Sequence, residues 1–388
     1  MNRRNFIRVA GGGVVLAAGG LAGCSTTYPE EAVAAWRGPS PSADVRRWAL
    51  GYAILAPNSH NLQPWLVDLR DPDAIVLHVD RERLLPMTDP WYRQIMVSQG
   101  TFLEALAIAL RQRGLEPKFE LFPQGEPGRF ELDGRPVARI TWQPGAAPDP
   151  LFAQLLKRHT AKGGYDTGAR VDPRVLAALA ESLQDNAVQY GYTVEREKLS
   201  ALSRLALDAS KVELDTPRTI LESVRLTRVG PAEIARHRDG ISVNNRIARL
   251  ADMLGAFDRD APLQPGSAGY RQTLAQFEEQ TQSAMGFVWL STATAQHLRA
   301  GAVRSAEVRA GRAYMRLQLK ATELGLQMHP MSQALQEFDE MRPHYMRLHR
   351  LLLGAQPEQQ TLQMFCRVGY GRPSQPAPRR GVDAIIRA

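Results

Sequence analysis

The sequence predicts an α+β chain made of two diverged copies of one unit, the second enlarged by a helical insertion. Two observations point to this. First, SQGTFLEALAIALRQRGL (98–115) and RAGRAYMRLQLKATELGL (309–326) are both amphipathic stretches opened by glycine and closed by Gly-Leu; Gly100 lies as far from Gly114 as Gly311 from Gly325, and Leu106 matches Leu317. Second, the elements around each stretch recur in one order, the mark of an internal repeat. The spacing is unequal: about 35 residues separate the first strand from the glycine-led helix in the first copy, and about 115 (195–310) in the second.

In chain order, RRWALGYAILA (46–56) reads as a helix, WLVDL (65–69) as a strand that Trp65 opens and packs into the core, and VARITW (137–142) as a second strand. The second copy repeats this with PRVLAALAESL (173–183), VQYGYTVE (188–195) and MFCRVGY (364–370). The copies run over 41–150 and 151–388, behind a linker at 24–40. The insertion is placed at about 235–285. It holds the turn RDGIS (238–242), an amphipathic helix in VNNRIARLADMLGAF (243–257) and the Pro/Gly stretch APLQPGSAGY (261–270). Ile247, Leu250, Met253 and Leu254 fall on one face of that helix, and an apolar helical face must bury against something. Long insertions are often lids, so the insertion is expected to cover a pocket between the copies.

The chain begins MNRRNFIRVAGGGVVLAAGGLAGC. Arg3 and Arg4 before a weakly apolar, glycine-rich stretch ending at Cys24 read as a twin-arginine export signal (1–23) with a lipoprotein cleavage site. The expected product is a periplasmic or cell-envelope lipoprotein anchored through Cys24, in contact with membrane only through that lipid. Loss of 1–23 removes three arginines and lowers the formal charge from +8 to +5, which is not the footprint of a nucleic-acid binder. The other cysteine, Cys366, sits in an apolar run read as a buried strand, where a thiol is inert. No HExxH and no Cys/His cluster suggests a metal; His344 and His349 stand five apart and read as solvated side chains on a helix.

Two polar runs remain. APNSHNLQPW (56–65) crowds hydrogen-bonding groups between a helix and a strand. LLKRHTAKGGYD (155–166) alternates Arg158, Thr160 and Lys162, a hydroxyl between two cations, which suits a doubly charged phosphate. PAPRRGVDAIIRA adds Arg379 and Arg380. Taken singly, each basic cluster also reads as a solvated helix end.

Together these runs resemble the FMN-binding nitroreductase superfamily, in particular its Acg-like branch, in which two nitroreductase-like halves share one chain. The resemblance implies an α+β nitroreductase fold, duplicated as a single-chain pseudo-dimer with one FMN between the halves and no further subunit. By the same resemblance Arg158, Thr160 and Lys162 look like the phosphate run, with Arg379 or Arg380 as the C-terminal basic partner. Pro57, Asn58, Ser59, Asn61 and Gln63 look like the run lining the flavin ring. Met331 and Ser332, in Met328-His329-Pro330-Met331-Ser332, would place backbone groups near the ring edge or else form a core turn. Asn58 stands where serine is usual and Lys162 where arginine is usual. The implied activity is ping-pong transfer through FMN from a small-molecule donor to an acceptor such as a nitroaromatic or quinone. A flavin-binding or flavin-sequestering protein with little turnover is the alternative, and a binding protein that has lost flavin is the third reading.

Overall fold

A computed structural model describes residues 26–41, 44–255, 257–293, 302–372 and 374–387. The export signal and Cys24 lie outside the described residues. The first part of the chain contains α1 (Glu30–Val33), α2 (Val45–Ala53), β1 (Trp65–Asp68), β2 (Ile75–Val79), α3 (Arg93–Gln112), β3 (Leu115–Leu121) and β4 (Ala138–Pro144). The second contains α4 (Pro173–Leu179), β5 (Gln189–Thr193), α5 (Arg196–Asp215), α6 (Pro217–Arg225), β6 (Thr227–Val229), α7 (Gly230–His237), β7 (Ile241–Val243), α8 (Arg246–Met253), α9 (Ala268–Gln282), β8 (Gly286–Ala293), α10 (Val303–Glu323), β9 (Gln327–Pro330), α11 (Arg342–Leu353) and β10 (Gln360–Gly369).

Two antiparallel four-stranded sheets have orders β1-β2-β4-β3 and β5-β8-β10-β9. Numbered within its own half, each sheet runs first-second-fourth-third, with a long helix between its second and third strands. Those helices, α3 and α10, are buried along most of their length because apolar and small residues occupy nearly every face toward the sheets and toward each other. They cross at glycines. A Cβ at Gly100 would lie 2.0 Å from the Val308 carbonyl oxygen, and one at Gly311 would lie 2.0 Å from that of Val97. Only hydrogen at both positions permits such backbone contact. The crossing is reinforced by Glu104, which accepts from Arg312 and Arg316, each at 2.8 Å.

The structure changes several sequence expectations. The stretch without a counterpart in the first half lies between β5 and β8 and so begins near residue 195, well before 235. Residues 24–40 are not a plain linker in their described part: α1 and the 3-10 turn Ala34–Arg37 pack Trp36 into the core. His349 is not solvated. It is fully buried, with Nδ1 facing the Tyr345 carbonyl and Nε2 accepting from the Leu362 amide at 2.9 Å. Trp65 does open β1 and is fully buried. Cys366 lies buried in β10, where burial pushes its thiol pKa up.

Candidate functional site

The C-terminus of α2 leaves the Leu55 carbonyl at its frayed end, as the last carbonyls of any helix lack intrahelical donors. Two guanidinium groups converge on it: Arg158 Nη2 and Arg379 Nη2 each donate to the Leu55 oxygen at 3.1 Å. Arg158 is 2% exposed and Arg379 3%. Arg158 also donates to Gln318 Oε1 at 2.7 Å and approaches Thr160 Oγ1 at 3.4 Å. Arg379 donates to Asn61 Oδ1 at 2.6 Å and to the Ala56 carbonyl at 3.2 Å. Trp36 faces both, its ring 5.5 Å from the Arg158 guanidinium and 5.2 Å from that of Arg379, with the His159 ring 4.8 Å away.

No carboxylate is among the charges acting on Arg158, Lys162 or Arg379. Burial lowers Arg158 to about 10. Burial and then the Arg158 charge carry Arg379 well below its ordinary value. Lys162 reaches solvent at the edge of the cluster; surrounding protein and then Arg379 lower its pKa. Arg158 Nε, Arg379 Nε and His159 Nδ1 are buried and make no hydrogen bond. Buried cations without a counter-charge are costly, and unused N–H donors beside them mark a place for an anion. A phosphate dianion fits this donor set in charge.

Arg380 does not join the cluster. Its Nη2 donates to the Gln63 carbonyl at 2.7 Å and its Nη1 lies 3.7 Å from Asp80. Successive side chains of an extended segment point to opposite sides, so Arg379 alone of the pair turns toward Arg158.

The run 57–63 is tightly engaged with protein. Pro57 is buried, its carbonyl accepting from Thr101 Oγ1 at 2.7 Å. Asn58 Oδ1 accepts from the Gln63 amide at 2.8 Å, and the Ser59 amide donates to Ser98 Oγ at 3.2 Å. Asn61 Nδ2 donates to the Pro378 carbonyl at 3.1 Å. Gln63 donates to the Arg238 carbonyl and accepts from the Arg380 amide, both at 2.8 Å. His60, Asn61 and Gln63 have φ of 48°, 54° and 54°. Three non-glycine residues in the left-handed region within four positions are held only because their surroundings over-determine them.

Two elements of the insertion close over these runs. Ser223 Oγ lies 3.2 Å from His60 Nε2, the Gly240 amide donates to the Asn61 carbonyl at 3.1 Å, and Asp239 pairs with Arg83 at 2.5 Å and Arg228 at 3.0 Å. Gly240, at φ +72°, could not carry a Cβ, which would meet the Leu226 carbonyl oxygen at 2.3 Å. Farther on, Gln280 Nε2 donates to the Lys162 carbonyl at 2.9 Å, and Arg367 ties the Gln280 and Gly163 carbonyls together. By contrast α8 has no buried residue.

Met331 departs from one of its two readings. Its amide donates to the Phe365 carbonyl at 2.8 Å and its side chain is buried in a core cluster with Phe287 and Phe365, so it forms a core turn. Ser332 follows, half-buried, its carbonyl accepting from the Leu335 amide. Sequence reasoning missed Trp36, Gln318 and the Leu55 carbonyl. The only signal for Trp36 was a lone tryptophan in EEAVAAWRG, a helical pattern read as linker.

Four imidazoles share this part of the protein or the core. Burial first, then nearby cations, lower His60 and His159 to about 4 and His329 well below the ordinary 6.5; burial lowers His349 to about 4. Each contributes stability that is present above pH 6.5 and lost as pH falls toward 4, because the unfolded chain takes up the proton first. The imidazole resonances of these four are therefore expected to show no titration in NMR between pH 8 and 5.5. A midpoint near 6.5 for His60 or His159 would mean that the site is open to water.

No protein-family model matches the chain. "Putative NAD(P)H nitroreductase Rv3131" of Mycobacterium tuberculosis (strain ATCC 25618 / H37Rv) is 26% identical over 356 residues, covering 89% of this chain and 92% of that protein. "Putative NAD(P)H nitroreductase acg" of the same strain is 32% identical over 82 residues, 21% of this chain and 24% of that protein. Among solved structures, a "putative nitroreductase from anabaena variabilis atcc 29413" matches at 11% identity and TM-score 0.45, over 88% of this chain and 91% of that one. The FMN- and NADPH-dependent nitroreductase NfnB from a Sphingopyxis strain matches at 15% identity and TM-score 0.38, over 62% and 99%. Along most of its length the chain is thus similar in sequence to that mycobacterial protein.

Proposed function

We propose that this chain is an exported FMN-dependent oxidoreductase of nitroreductase type, with two fused halves holding one flavin between them and the insertion acting as its cover. The juxtaposed, acid-free guanidinium groups of Arg158 and Arg379 carry this reading. The shared strand order of the two sheets and the meeting of the matched glycines Gly100 and Gly311 support the fused halves. So do the FMN-dependent nitroreductases among the similar structures, for the cofactor.

Arg158 and Arg379 would hold the phosphate, with Thr160 and His159 beside them and Lys162 adding positive potential at the edge. Asn61, fixed by Arg379 and Pro378, presents the 57–63 run. Ser223, Arg238 and Gly240 hold water away from that run. When bound, FMN supplies the hydride chemistry, taking electrons from a small-molecule donor and giving them to a nitroaromatic, a quinone or a similar acceptor. In the cell envelope NAD(P)H is scarce, so the donor is expected to be another reductant.

Protein extracted from the cell envelope tests the whole reading. It should absorb in the visible range, release FMN on denaturation, carry a lipid mass on Cys24, and after dithionite reduction be reoxidised by a quinone or nitroaromatic. Retained flavin without reoxidation would leave a flavin store. Protein that lacks flavin, and whose melting point added FMN does not raise, would overturn the reading.

A further inference from the structure

Most surface helices turn their apolar side inward. α8 is reversed. Arg249 lies over Gly230 and Asp252 faces Arg259 at 3.7 Å, so its polar side meets the protein. Ile247, Leu250, Met253 and Leu254 point out, 77%, 51%, 82% and 66% exposed. They are four of the seven exposed large hydrophobic residues among the described residues, gathered on one face of one helix. Asn245 caps the helix by accepting from the Ala248 amide at 2.8 Å.

The start of the described chain lies against the start of α8. Asn244, next to the capping residue, donates to the Thr27 carbonyl at 2.8 Å, and the Tyr28 hydroxyl donates to the Ser242 carbonyl at 3.3 Å. Cys24 is three residues before Thr27, a reach of about 10 Å at most. α8 is itself about 12 Å long. A bilayer that receives a lipid on Cys24 is therefore within reach of the whole helix. Exposed Arg246, on the same helix, suits an anionic surface.

We propose that α8 is an interfacial helix that inserts Ile247, Leu250, Met253 and Leu254 into an anionic bilayer beside the lipid on Cys24. The inference rests on the lipoprotein reading for its geometry and gives the protein a second membrane contact. With α8 in the interface, the 26–28 segment and β7 become the membrane-proximal face, and residues 238–240, which bond to the 57–63 run, sit just behind it.

The test uses residues 24–388 with Cys24→Ala, which retain every described element, and vesicles of phosphatidylethanolamine and phosphatidylglycerol. This unlipidated protein should float with the vesicles, more weakly at high salt. Replacing Ile247, Leu250, Met253 and Leu254 by Ser should lower the partition coefficient at least ten-fold with an unchanged circular dichroism spectrum. In a second variant, Leu250→Trp, the added fluorescence should shift to the blue on vesicle addition and be quenched by brominated lipid. Equal partition of parent and serine variant would overturn the proposal. So would a Leu250→Trp signal that is already blue-shifted without vesicles, which would assign the face to a second copy or to the protein's own pocket. Absence of lipid on Cys24 in cells would refute the anchor reading alone, since the vesicle assay does not use it.

Discussion

Arg158→Glu should abolish FMN retention without loosening the fold. In the proposed site the native guanidinium would offer a charge-assisted contact to phosphate worth roughly 1.5–3 kcal/mol. Its replacement sets a carboxylate against the dianion, so affinity should fall by well over ten-fold, about 1.4 kcal/mol being one decade. The two effects separate because of Arg379. In the native protein two buried cations share the Leu55 carbonyl. In the variant Arg379 gains an acidic neighbour, which relieves the repulsion. The flavin-free variant is therefore expected to melt no lower than the flavin-free parent. Arg170→Glu, at an exposed position outside the cluster, should change neither quantity. Equal flavin content in the Arg158 variant and the parent would show that the phosphate lies elsewhere.

The largest stability effect is expected at the helix crossing. Alanine favours a helix over glycine by about 1 kcal/mol, so Gly100→Ala would stabilise an isolated α3. Here the new methyl would sit 2.0 Å from the Val308 carbonyl oxygen and 2.9 Å from the Gly311 Cα. The obstacle is backbone on both sides, so no side chain can swing away, and the two helices must separate. Overpacking typically costs about 1–3 kcal/mol and more where nothing yields. A fall in the melting midpoint of at least about 5 °C is expected for Gly100→Ala, and a similar fall for Gly311→Ala. The double variant should lose less than the sum, because one separation accommodates both methyls. Gly134→Ala, with nothing within 4 Å of the added methyl, is the control. A Gly100→Ala protein that melts like the parent would mean that the helices do not touch there.

Those glycines also show what a sequence can disclose. Gly100 and Gly311 stood out at matched places because close backbone contact tolerates no other residue, and a steric demand of that kind leaves a local trace. The paired helices were legible for the same reason, through periodicity; β2, β3 and β9 went unread, and of the strands β1, β4, β5 and β10 were legible. β8 was not, since GFVWLSTA is buried on both faces and carries no alternation. Arg379 and Arg380 could not be told apart, because adjacent residues of an extended segment differ only in which way they point. Met331 could not be resolved from its motif, since the partner of its amide is set by the register of β9 on β10. Trp36 was invisible because nothing near it in the chain says that it meets Arg158. The amphipathicity of α8 was plain, but periodicity records that a face is apolar and not whether protein covers it.

The cationic cluster is joined across long stretches of chain: Arg158 to Leu55 over 103 residues, Asn61 to Arg379 over 318, and Trp36 to Ala377 over 341. Contacts so distant in sequence repay the entropy of loop closure only after the intervening elements have formed. Assembly of this region must therefore wait for residues 377–379. A nascent chain missing its last dozen residues would have both sheets and both long helices, but no Arg379 beside Arg158. Any anion taken up there is captured by a finished molecule and not during synthesis. Proteolytic removal of the segment that carries Arg379 is expected to weaken retention of the proposed phosphate before it unfolds the sheets.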